Sequence, residues 1–124
     1  MAFLKSISYT EHDIKLARFA KALGHPARIV IMRHLANTKK CSCCFSDLSN
    51  MLPIANSTIS QHLTELKNAG LIIGQIEPPY VKYCINWENW LLAKNMFNDF
   101  ILSTQQQTQL CARALDQLRT LGEM

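Results

Sequence analysis

Four glycines and four prolines are all the punctuation this 124-residue chain has, and their positions decide which elements it can form. Gly24 with Pro26, Pro53, Gly70, Gly74 and Pro78-Pro79 cut it into helix-length blocks followed by one short β region. Thr10, with Asp13 three residues on, has the spacing of a capping box. From there Ile14, Ala17, Phe19, Ala20 and Leu23 form a helical apolar stripe that Gly24 ends. Pro26 suits the first position of a second helix capped by His25, with Ile29, Val30, Met32 and Leu35 facing the core. A short third helix runs from about Cys44 to Leu52 and is closed by Pro53. A fourth opens at Asn56 or Ser57, both good N-caps, and carries Ile59, Leu63 and Leu66 on one face before Gly70. The stretches 71–77 and 80–86 read as two strands joined by Pro78-Pro79. Residues 87–121 contain no glycine or proline and read as helical, with a heptad seam that includes Trp90, Phe97, Phe100, Cys111 and Leu118. The expectation is one domain, 1–124, mainly α with a small β-hairpin. Residues 10–86 form its core, and one or more C-terminal helices span 87–121.

Composition narrows the function classes. A hydrophobic share of 48% with 18% charged residues is globular. No apolar run reaches the ~20 residues of a membrane span, and the first residues contain no signal-peptide core. The expected location is the cytoplasm. Residues 1–85 hold ten basic side chains against five acidic ones, whereas 86–124 hold three against four. A polyanion-binding portion ahead of a neutral one is the natural reading. P-loop, dinucleotide-fingerprint, zinc-protease and nucleophile-elbow motifs are all missing, so no enzyme is expected.

The order helix, helix, short helix, helix, hairpin is that of a winged helix-turn-helix. Its decisive part is the helix at 57–69. Such a helix enters the major groove when one face anchors it and the other is small and polar. Asn56, Ser57, Thr58, Ser60, Gln61, His62, Thr64 and Lys67 are the candidate contacts to DNA. Gln61 suits an adenine edge and the hydroxyls suit phosphate. Lys39, Lys40 and Lys82 are candidate phosphate neutralisers, with Tyr80 a second wing candidate.

The stretches ALGHPARIVIMRHL (22–35), SDLSNML (46–52), STISQHLTELKNAGLI (57–72) and YVKYCI (80–85) resemble the ArsR/SmtB family of winged-helix repressors. The resemblance covers roughly residues 13–100. It implies a homodimer on double-stranded operator DNA that an inducer releases. It also implies that the first and last helices pack across the two-fold, which assigns Phe19, Trp90, Phe97, Phe100, Cys111 and Leu118 to the interface. Pro78-Pro79 replace the usual Gly/Arg wing tip.

Five cysteines, three of them Cys41, Cys43 and Cys44, suggest thiol chemistry beside the third helix. Aligned with the Cys-x-Cys of metalloid-sensing relatives, Cys44 takes the first position and Ser46 the second. Thiolates at this spacing suit As(III), Zn(II), Cd(II) or Cu(I), and Lys39 and Lys40 favour the thiolate form. Redox sensing by the same cysteines is the competing reading. The family's other metal site, built from Asp/His pairs on the last helix, has no histidine there to build it. A protein-interaction module on the same fold is the rival class.

Overall fold

The computed structural model describes residues 9–38, 43–105 and 119. Eight elements follow in chain order: α1 (Glu11–Ala22), α2 (Pro26–Asn37), β1 (Cys43–Cys44), α3 (Phe45–Met51), α4 (Asn56–Asn68), β2 (Ile72–Glu77), β3 (Tyr80–Ile85) and α5 (Trp87–Ser103). The chain divides into two compact units, residues 1–93 and 94–124. The first holds the winged helix-turn-helix. Described by itself, the second continues α5 to Ser103 and closes with a turn in which Thr104 N–H donates to the Ile101 carbonyl at 3.2 Å. Of the one or more helices expected over 87–121, the first ends at Ser103, just before the glutamine run, and Arg119 is again helical.

Local chemistry explains the helix starts. Thr10 Oγ1 accepts from Asp13 N–H at 3.0 Å, and the Asp13 carboxylate accepts from Thr10 N–H at 3.4 Å, so the capping box is formed. His25 caps α2, its Nδ1 accepting from Ala27 N–H at 3.0 Å, with Pro26 following. The start of α4 differs from expectation: Ala55, not Asn56 or Ser57, is the N-cap, and it offers no side-chain cap. Asn56 instead ties the turn to α3, its Oδ1 accepting from Ser49 Oγ at 2.6 Å.

The core of the first unit is built from Phe19, Ile31, Leu48, Ile59, Leu63, Leu66 and Leu71, each essentially inaccessible. Full burial of one such side chain stabilises by about 1.5–3 kcal/mol relative to exposure. Three expectations fail here. Ile14 and Ile29 are exposed rather than buried. Along α2 the apolar run 29–32 offers more candidates than one face can take. The face that turns inward carries Arg28, Ile31, Met32 and Leu35, at i, i+3, i+4 and i+7. Phe19, assigned to a dimer interface, is 1% exposed within a single chain and has no surface to offer a partner.

The sheet has the order β1-β3-β2, all antiparallel. Its register pairs Cys43 with Tyr83 and Cys44 with Lys82, so the residues that open α3 are hydrogen-bonded to the second wing strand. α4 passes into β2 through Gly70, whose φ of +82° is the left-handed conformation a helix-ending glycine supplies. Gly70 N–H donates to Lys67 O at 2.9 Å and Leu71 N–H to Leu66 O at 3.0 Å. Asn89 Nδ2 then donates to Gly70 O at 2.9 Å, and Asn86 N–H to Leu71 O at 3.0 Å. The end of α4, the root of the wing and the start of α5 thus share one hydrogen-bonded junction. No helix among the described residues is long and apolar enough to cross a membrane.

Candidate nucleic-acid interface

α4 has two chemically distinct sides. Ile59, Leu63 and Leu66 are buried, as the spacing predicts. Asn56, Ser57, Ser60, Gln61, Thr64 and Lys67 are exposed, and Thr58 is half-buried. Thr64 Oγ1 donates to the Ser60 carbonyl at 2.9 Å, leaving its lone pairs outward. In the wing, Tyr80 is 58% and Ile76 79% exposed. Lys82 is engaged: its Nζ lies 2.9 Å from Glu77 Oε2, and that bond raises its affinity for its proton. Lys39 and Lys40 lie outside the described residues.

His62 corrects the sequence reading. It was expected to face outward with Gln61, yet it is 6% exposed. The reason is helical geometry: positions 59, 62, 63 and 66 form one i, i+3, i+4, i+7 stripe. Arg28, to which the sequence assigned no role, answers it. Its Nε–H donates to His62 Nδ1 at 3.1 Å, and Nη1 donates to the carbonyls of Ala22 at 3.2 Å and Lys21 at 3.4 Å. The His25 ring stands 4.4 Å from that of His62, centroid to centroid. The motif Leu23-Gly24-His25-Pro26-x-Arg28 therefore clamps the end of α1, the start of α2 and the inner side of α4. Its signal in the sequence was the fixed spacing of a cap and a long cation around a proline.

The cysteines do not assemble a thiolate site among the described residues. Cys43 is buried, and its Sγ donates to Asp47 Oδ2 at 3.7 Å. Burial first, and the Asp47 carboxylate second, push its thiol up from 9.0 to about 11. Cys44 and Cys84 are half-buried free thiols. Cys41 and Cys111 lie outside the described residues, as does Leu118. No three metal-ligating side chains converge among the described residues. Cys43 holds about a hundredfold less thiolate at neutral pH than an ordinary thiol. Its alkylation by iodoacetamide at pH 7.5 is accordingly expected to be about a hundredfold slower than that of free cysteine, rising as pH approaches 11. Site-resolved mass spectrometry checks this; labelling at the free-cysteine rate would refute it.

Comparison with known proteins agrees with the geometry. Residues 25–73 match the family model described as bacterial regulatory protein, arsR family. No curated protein matches the chain by sequence. Among solved structures, HlyU from Vibrio cholerae is 23% identical, with a TM-score of 0.60 over 79% of this chain and 100% of that one. A possible transcriptional regulator for arsenical resistance is 22% identical, with a TM-score of 0.58 over 64% of this chain and 80% of that one. An ArsR family transcriptional regulator is 17% identical, with a TM-score of 0.62 over 82% and 95%. The fold is that of the solved ArsR-type regulators, and residues 25–73 are similar to the helix-turn-helix described by the arsR-family model.

Proposed function

We propose that the chain is a dimeric, sequence-specific DNA-binding repressor that lays α4 into the major groove. The observation that carries this reading is the two-sidedness of α4: a buried aliphatic stripe opposite exposed Ser57, Ser60, Gln61, Thr64 and Lys67. Gln61 reads a base edge, while Lys67 and the hydroxyls hold phosphates. Ala55 caps the helix without a side chain, which leaves the first backbone N–H groups of α4 open to a phosphate oxygen. Two copies are needed to span successive half-sites. Exposed apolar side chains support pairing: Trp87 and Leu91 in the first unit, and Phe100, Ile101 and Leu102 in the second. Repression follows from occupying promoter DNA, which a protein of this fold can do unaided. The matching regulator of arsenical resistance suggests an arsenical response, but the described cysteines lack the convergence an ion site requires.

The test is a duplex selected from random-sequence DNA, bound across a salt series. Affinity is expected to fall by about 0.9 log units per log unit of salt for each phosphate neutralised. Gln61→Ala is expected to relax discrimination at one base position by about 1–3 kcal/mol, whereas Lys67→Ala weakens all sequences alike and lowers the salt slope by about one. Uniform weakening by both variants would refute the role given to Gln61. A protein-interaction module would show no enriched sequence and no steep salt dependence.

A further inference from the structure

The helix proposed to read DNA is seated on a histidine whose seat depends on its being neutral. Nδ1 of His62 accepts the Arg28 Nε–H at 3.1 Å, and Nε2 is buried without a hydrogen-bond partner among the described residues. Only the neutral ring has an acceptor nitrogen; in the imidazolium both nitrogens carry protons. A proton on Nδ1 would set N–H against N–H and cation against cation at that distance. Arg28 cannot readily swing aside, because it also holds the Lys21 and Ala22 carbonyls at the end of α1.

The surroundings offer a charged ring little relief. From α2 and its cap come Arg28 and His25, the two groups that act on it, and both oppose a proton. α1 brings Arg18 and Lys21, which line a neighbouring groove, and Glu65 of α4 borders both that groove and the hollow lined by Arg28 and His62. On α4 itself the charged neighbours are Glu65 and Lys67, both exposed.

We propose that His62 is a positioning residue that makes DNA binding by α4 sensitive to acid: the neutral ring seats the helix for reading, and a proton on it unseats the helix. The inference rests on the DNA-reading function above. Burial, then His25 and Arg28, hold the basicity of His62 below its ordinary value of 6.5. The seating contribution is thus fully present above pH 6.5 and is lost as pH falls through the lower, folded-state value. The direction is diagnostic, because positive charge added elsewhere on the protein would strengthen binding to a polyanion.

The experiment uses the whole protein and the duplex it selects from random-sequence DNA at pH 7.5. Wild-type affinity is expected to fall between pH 7.5 and 5.5, by at most about tenfold for each His62 in the complex, with circular dichroism showing a folded protein at both. His62→Asn keeps an acceptor for Arg28 without a titrating group, and the ratio of its two affinities is expected to be near one. As a reading independent of any variant, the His62 ring resonances of the wild type are titrated with and without the duplex. Linkage requires a lower midpoint on DNA. An equal or higher midpoint, a flat wild-type profile, the same slope in both proteins, or loss only with global unfolding each overturns the proposal. A selection that enriches no sequence sinks the DNA-reading function itself.

Discussion

Replacing Gly70 by alanine is expected to lower the thermal unfolding midpoint by roughly 10–20 °C. Two costs combine. The φ of +82° is one a side chain adopts at about 1 kcal/mol or more. An added Cβ would also stand 2.7 Å from Asn89 Nδ2, the group that donates to the Gly70 carbonyl. Moving that amide away sacrifices a part-buried hydrogen bond worth about 1 kcal/mol and leaves its acceptor unsatisfied. A total of about 2–4 kcal/mol follows. The control is Gly24→Ala, where φ is not positive and the nearest atom to the new Cβ is the Lys21 carbonyl oxygen at 3.2 Å. Circular dichroism melting measures both. A Gly70→Ala shift no larger than that of the control would show that the junction tolerates a side chain.

Leu63→Ala and Gln61→Ala, two positions apart on α4, are expected to fail in opposite ways. Leu63 is 2% exposed, and truncating it leaves a cavity costing about 2–5 kcal/mol. That is a large part of the stability of a domain this size. Gln61 is exposed on the other side, and its loss is expected to change stability by less than about 0.5 kcal/mol while relaxing base discrimination. Chemical denaturation and duplex affinity, measured on both variants, separate the two roles. Comparable destabilisation by both would mean that α4 lacks the division into an anchoring and a reading side.

The sequence made the architecture legible wherever one period or one special residue governed an element. Thr10 with Asp13, His25 before Pro26, and Gly70 after α4 each carry a local physical requirement, and each performs it. Legibility failed where several residues competed for one role. In the run Ile29-Val30-Ile31-Met32 hydrophobicity alone does not say which side turns inward, and the side that does holds buried Ile31, Met32 and Leu35 beside half-buried Arg28. β1 is two residues long, too short for any alternation, so its pairing with β3 was invisible. His62 is the instructive case. Its i+3 spacing from Ile59 marked it as inward, but histidine chemistry invited an outward reading, because the partner that makes burial tolerable lies 34 residues earlier. Distant side-chain partners leave no periodic trace. The environment of Cys43 was hidden for a related reason: Lys39 and Lys40 lie near it in sequence, whereas burial and Asp47 govern its proton.

The bridge between Lys82 and Glu77 has a consequence for how the two arms of this fold divide their labour. Between Ile72 and Ile85 these are the sole carboxylate and the sole ammonium, and their formal charges cancel. On the DNA-binding reading proposed above, the hairpin would approach a duplex as a finger of no net charge tipped with proline, tyrosine and isoleucine. Whatever grip it exerted would then come through shape and apolar contact and change little with ionic strength, while the attraction that salt erodes would originate elsewhere on the molecule.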